Sequence, residues 1–152
     1  MRRPNRLSLG QGVPGADSHW NRKELLIDGR SLQEHLTRST GSNIDCVSPL
    51  GCTDPEYERQ YLGQLLLSAP ALLPSGRQVL LVCPLCADLG CGCISARIEI
   101  NDERTFWNEI GFENDYDPDS LTIYPFLSFV FDAAEYRIIL STNAVPDGRS
   151  HP

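Results

Sequence analysis

The sequence predicts an α+β domain: an antiparallel meander sheet of about four or five strands with two or three helices packed on it. Three observations carry that expectation. Ile94, Ala96, Ile98 and Ile100 alternate with Ser95, Arg97 and Glu99, the period of a strand with one buried face. Ser31, Asp54 and Asp132 each stand at the head of a helical pattern as capping residues. The predicted strands after residue 77 follow one another with no helical pattern between them and a short turn at Asn101–Arg104, which implies an antiparallel meander.

In chain order, residues 1–22 hold Pro4, Gly10, Gly12, Pro14 and Gly15 among polar neighbours and are expected to form a flexible arm. The single domain is placed at 23–142. Glu24–Ile27 reads as a short strand closed by the turn pair Asp28-Gly29. Ser31 and Glu34 have capping-box spacing, which opens a helix from Leu32 to about Arg38. A Gly-, Ser-, Asn- and Pro-containing loop then runs to Asp54-Pro55, an N-cap followed by proline at the first helical position. The helix after it, Glu56–Ser68, places Tyr57, Tyr61, Leu62, Leu65 and Leu66 on one face.

Arg77–Cys83 is apolar at nearly every position, so a strand central in its sheet is expected there. Ile94–Ile100 follows, then a turn at Asn101–Arg104, a strand at Thr105–Phe112, an acidic loop at Glu113–Pro125 and an aromatic strand at Phe126–Phe131. Asp132 and Glu135 repeat the capping spacing ahead of a helix to about Leu140. Residues 143–152 are polar, with Pro and Gly, and are expected to be a flexible tail.

At 152 residues, 41% hydrophobic and 22% charged, the chain suits one domain with a real core and lies far from the composition of disorder. The longest apolar stretch, Leu65–Leu73, is short and broken by Pro70, so no membrane span is expected. The arginines of the first residues are followed by no continuous apolar segment, so the expected compartment is the cytoplasm. Six cysteines there would stay reduced or hold metal more readily than pair. The net charge is −7, and no Lys or Arg falls between Thr105 and Tyr136. Phosphate contacts need clustered cations, so a nucleic-acid partner is not expected and a basic protein partner is.

Cys83-Pro84-Leu85-Cys86 and Cys91-Gly92-Cys93 place four sulfurs within eleven residues between two predicted strands. In one reading Cys83, Cys86, Cys91 and Cys93 bind a structural zinc ion, with Cys46 or Cys52 as replacements if Cys93 faces away. In a second, Cys83 and Cys86 are a redox pair, although Gly90 and Gly92 interrupt the helix that would activate the first thiol. In a third, the cysteines are reduced and act as small apolar residues.

No nucleotide-binding or hydrolase motif is present, and His19, His35 and His151 are poorly placed to activate a nucleophile. Asp115, Asp117 and Asp119 alternate like calcium-loop ligands, but Ser120 and Phe126 stand where that loop needs Gly and Glu. The alternative is an acidic recognition surface of Glu109, Glu113, Asp115, Asp117 and Asp119, with Trp107 and Tyr116 as aromatic anchors.

Three segments, Val82-Cys83-Pro84-x-Cys86-x-Asp88-Leu89-Gly90-Cys91-Gly92, Phe112-Glu113-Asn114-x-Tyr116-Asp117 and Phe131-Asp132-x-x-x-Tyr136, resemble a family of small bacterial proteins of unassigned role. The resemblance spans roughly Leu25–Leu140 and implies no established chemistry, although some members carry the label oxidoreductase. Members often have a small residue in place of Cys93, so the resemblance favours Cys83, Cys86 and Cys91 as the metal-binding set.

The functional expectation is a non-enzymatic interaction protein, for instance a bacterial immunity protein that neutralises a basic toxin domain, with zinc or packed thiols holding its cysteine loop. The alternative is a thiol oxidoreductase using Cys83 and Cys86.

Overall fold

Antiparallel pairing dominates the computed structural model, which describes residues 3–11, 23–51, 54–85 and 88–142. The chain runs β1 (Leu7–Gln11), β2 (Lys23–Ile27), β3 (Arg30–Ser31), α1 (Leu32–Thr40), α2 (Pro55–Leu65), β4 (Gln78–Leu81), β5 (Cys93–Ile100), β6 (Arg104–Glu113), β7 (Thr122–Ile123), β8 (Phe129–Asp132) and α3 (Ala133–Thr142). This is the α+β class expected from the sequence. The strands form two sheets: β1-β2-β3, and β4-β5-β6-β7 with β8 also paired to β6.

Local chemistry sets the helix starts. The Ser31 side chain accepts from the Glu34 amide at 3.1 Å and that of Asp54 from the Tyr57 amide at 2.9 Å. The Asp132 carboxylate accepts from the Glu135 amide at 2.9 Å. The Glu34 carboxylate does not serve as the return arm of a capping box but takes Arg30 at 3.3 Å and Arg38 at 3.8 Å. Asp28 (φ 55°) and Gly29 (φ 81°) both lie in the left-handed region, the two-residue turn that matches strand twist, and it joins β2 to β3.

The flexible arm expected at 1–22 is corrected where the structure describes it. Leu7–Gln11 is a strand of the domain, paired from Leu7↔Ile27 to Gln11↔Lys23, and Leu7 belongs to the core. At Gly10 a Cβ would lie 2.6 Å from Leu26 Cδ1, so the absence of a side chain there lets Leu26 lie across β1 without turning aside. Further upstream the Asn5 amide donates to Val130 O at 2.6 Å, while Asn5 Oδ1 accepts from the Val130 amide at 3.0 Å, so this segment lies along β8. Residues 12–22 and the tail 143–152 lie outside the described residues.

β4 is also corrected, from central to edge: among the described strands it pairs only with β5. Its outer backbone groups are satisfied by α2. Gln64 Nε2 donates to Val79 O at 2.7 Å, Gln64 Oε1 accepts from the Val79 amide at 2.7 Å, and the Tyr61 hydroxyl donates to Leu80 O at 2.6 Å. One step on, Val47 and Val82 exchange two backbone hydrogen bonds at 2.8 and 2.7 Å. An exposed edge is an aggregation template, and these contacts close it.

β8 begins at Phe129 rather than at Phe126, because Pro125 and Phe126 form a turn with Phe126 at φ 65°. The core gathers around Trp107, whose ring meets Phe131 at a centroid distance of 4.9 Å, and Phe129 and Tyr136 edge-on. Trp107 Nε1 donates to the Tyr136 hydroxyl at 3.1 Å, which donates to Leu65 O at 2.7 Å. That relay ties β6, α3 and α2 together through polar atoms that burial would otherwise leave unsatisfied.

Candidate functional site

The acidic loop after β6 is closed by its own side chains. Asn114 Oδ1 accepts from the Asp117 amide at 2.8 Å and the Tyr116 amide at 3.2 Å, and Asp117 Oδ1 accepts from the Asp119 amide at 2.9 Å. The Ser120 amide reaches Asp117 O at 3.0 Å, and the Ser120 hydroxyl accepts from the Asn114 amide at 3.0 Å. Short polar residues hold such turns because their side chains replace missing backbone partners. The result displays Asp115, Asp117 and Asp119 in solvent with Tyr116 74% exposed between them.

Two residues expected on that surface are not there. Trp107 is 0% exposed in the core, and Glu113 is 4% exposed. β6 carries both: Trp107 turns into the aromatic core with Phe131 and Tyr136, and Glu113 turns toward Arg77. Glu109 stays accessible at a bulge: Ser95↔Gly111 and Arg97↔Asn108 leave one extra residue on β6, and Glu109 adopts φ 51°. Its carboxylate lies 3.5 Å from Arg97 Nε and 3.9 Å from Arg77 Nη1.

Arg77 explains why Glu113 is buried. Its Nε donates to Glu113 Oε2 at 3.0 Å and to Ser95 Oγ at 3.1 Å, and the Ser95 hydroxyl donates to the same carboxylate oxygen at 2.5 Å. Its Nη2 reaches Ser95 O at 3.3 Å and the Glu109 carbonyl that the bulge frees. A buried ion pair is tolerated when hydrogen bonds absorb its remaining valences, and here only Arg77 Nη1 lacks a hydrogen-bond acceptor among the described residues. Sequence reasoning missed this cluster. Arg77, a cation heading an apolar run, was its only signal.

The cysteine loop divides its sulfurs. Cys83 is half-buried after β4, Cys91 is exposed on a three-residue 3₁₀ turn (Leu89–Cys91), and Cys93 is 0% exposed on β5 opposite Glu113. Cys86 lies outside the described residues. Among the described residues no group of three His, Cys, Asp or Glu side chains is arranged to hold a metal ion. Among the described residues of this connection, the helical turn is the three-residue Leu89–Cys91, too short for its N-terminus to lower a thiol pKa. Gly92 (φ 101°) is needed as glycine, because a Cβ there would sit 2.2 Å from the Phe112 ring. Against Gly90, Asp88 Oδ1 and Asp115 Oδ1 lie 3.3 and 3.5 Å from a Cβ position, so the cysteine loop and the acidic loop abut.

Cys46, from the loop before α2, joins this neighbourhood through the Val47↔Val82 bridge. Burial pushes its thiol up to about 11, reinforced by Cys83 and Asp45. Burial likewise pushes Cys93 up to about 12, with Glu113 and then Cys46 adding to it and Arg77 opposing. Both are protonated, poorly nucleophilic thiols at neutral pH.

Comparison with family models, curated proteins and solved structures found no match. What defines the molecule is therefore its own geometry: an antiparallel α+β domain presenting a braced acidic loop against a cysteine loop. Among the described residues no helix is long and apolar enough to cross a membrane.

Proposed function

We propose that the chain is a non-enzymatic interaction protein that takes a basic protein partner through Asp115–Asp119, as a bacterial immunity protein would neutralise a cationic toxin domain in the cytoplasm. The observation that carries this reading is the braced loop holding three carboxylates in solvent around exposed Tyr116. A loop backbone fixed before binding loses little entropy on association, and solvent-exposed carboxylates steer a cationic partner at long range. Tyr116 supplies the rigid aromatic area of an interface anchor. Glu109 stands at the margin, partly neutralised by Arg97.

The test is capture of a basic partner followed by affinity measurement on Asp115→Lys combined with Asp119→Lys. Asp117 is spared because its carboxylate braces the loop. Affinity should fall at least about tenfold at low salt, with the difference shrinking as salt rises. Equal affinity at every salt concentration would remove the reading.

A structural zinc ion on Cys83, Cys86 and Cys91 is part of the same proposal, as the means by which the long β4–β5 connection is pinned. Metal analysis of freshly purified protein should return one zinc per chain, and metal-free protein with an intact fold would remove that part alone.

A further inference from the structure

We propose that Cys46 and Cys83 form a cross-strand dithiol that closes to a disulfide when a small-molecule disulfide such as oxidised glutathione is the oxidant. Val47 and Val82 exchange both backbone hydrogen bonds, so they are the hydrogen-bonded pair of an antiparallel ladder. The next pair along, Cys46 opposite Cys83, is then a non-hydrogen-bonded site, where opposed Cα atoms lie about 4.5 Å apart with side chains on one face. That separation is within the roughly 4.4–6.8 Å that a disulfide spans. Cys83 is also close enough to Cys46 to add to the upward push that burial gives its thiol.

The two sulfurs differ in access. Cys83 is half-buried and Cys46 is 7% exposed, so the oxidant meets Cys83 first. The Cys83 thiolate attacks one sulfur of the oxidant, forming a mixed disulfide and expelling one thiol. The Cys46 sulfur then attacks Cys83, forming the intramolecular bond and expelling the second thiol. Two protons leave the protein thiols and two electrons pass to the oxidant, which is reduced to two thiols.

The bond would tie together more than two residues. The Cys46 segment reaches the five-stranded sheet through Val47–Val82 and the three-stranded sheet through the Lys23 amide, which donates to Leu50 O at 2.9 Å. A Cys46–Cys83 bridge therefore fastens the connection between the sheets and encloses α2 and β4 in a covalent loop. Such a loop restricts the unfolded chain, so the oxidised protein should be more stable than the reduced. This inference is independent of the proposed partner; because Cys83 is also a proposed zinc ligand and a disulfide sulfur cannot hold the metal, closing the bond would release the ion.

The experiment treats the full-length protein, with its zinc content measured in the same sample, with oxidised glutathione. It then alkylates the remaining thiols under denaturing conditions and maps cross-linked peptides by mass spectrometry. The expected result is a peptide joining Cys46 to Cys83, a loss of about 2 Da, and a thermal midpoint raised by roughly 5–10 °C. Cys46→Ala should instead trap glutathione on Cys83, a readout that does not depend on the stability of the variant. Cys83 joined to Cys86 or Cys91, Cys46 joined to Cys93, or a zinc-loaded loop that resists oxidation with Cys46 still alkylated would each overturn the proposal.

Discussion

Glu113 and Asp115 stand two residues apart and carry the same charge, yet one is sealed against Arg77 and the other projects into water. The difference has a measurable consequence. Removing one partner of a buried pair leaves the other charge uncompensated, so Glu113→Ala should cost about 3–5 kcal/mol of folding stability. Asp115→Ala, at an exposed position, should stay within about 0.5 kcal/mol. Urea unfolding of the two variants checks this, and a Glu113→Ala protein as stable as its parent would show that Arg77 finds another acceptor. Gly92 offers a second contrast at the same scale. Gly92→Ala must place a methyl group into the Phe112 ring at a backbone angle that side chains avoid, so it should destabilise by about 1–3 kcal/mol.

At the scale of the element, the edge of β4 is the feature most exposed to failure. Gln64 presents an amide that mimics the backbone of a neighbouring strand, giving and receiving one hydrogen bond with Val79. Gln64→Leu keeps the bulk but strands both backbone groups, which should cost about 2–4 kcal/mol. It also uncovers a strand edge, so light scattering should show concentration-dependent association that the parent lacks. A monomeric variant of unchanged stability would mean that water or the Val47 segment satisfies the edge instead. The helix starts behave more simply. Asp54→Ala should lose about 1 kcal/mol, as removal of a single N-cap does.

For the whole molecule, the buried acids fix the direction of the alkaline response. Cys46, Cys93, Tyr61 and Tyr136 all hold their protons more tightly in the folded chain, burial being the largest cause for each. Below pH 9 they are protonated in both states, and their contribution to stability is fully present. As pH climbs through the ordinary thiol value of 9.0 and the ordinary phenol value of 10.0, the unfolded chain releases protons that the folded chain keeps. Stability should therefore fall with rising pH from about 9, with the Cys46 and Cys93 contributions gone once pH passes about 11 and 12. Chemical denaturation at a series of alkaline pH values measures this, and a flat profile between pH 8 and 11 would contradict the burial of these groups.

The sequence by itself determined what depends on near neighbours. The caps at Ser31, Asp54 and Asp132 and the Asp28-Gly29 turn rest on contacts a few residues apart, and each stands where it was expected, whereas the alternation along β5 holds only from Arg97 onward, since Ser95 is buried against Arg77. The acidic loop was legible for the same reason, since Asn114, Asp117 and Ser120 close it locally. Only the tertiary structure decided what depends on distant segments. The apolar run before Cys83 reports that both faces of β4 are covered, but the faces say nothing about its hydrogen-bonding edges, which α2 and the Val47 segment fill. Trp107 reads as a surface anchor and Glu113 as a surface acid until the one is seen among the core aromatics and the other against Arg77. The sequence leaves open whether Cys46 or Cys52 joins the cysteine loop, and a backbone bridge between Val47 and Val82 brings Cys46 to it. Hydrophobic and charge patterns encode whether a side chain is buried, whereas its partner is chosen by the chain's return from far along the sequence.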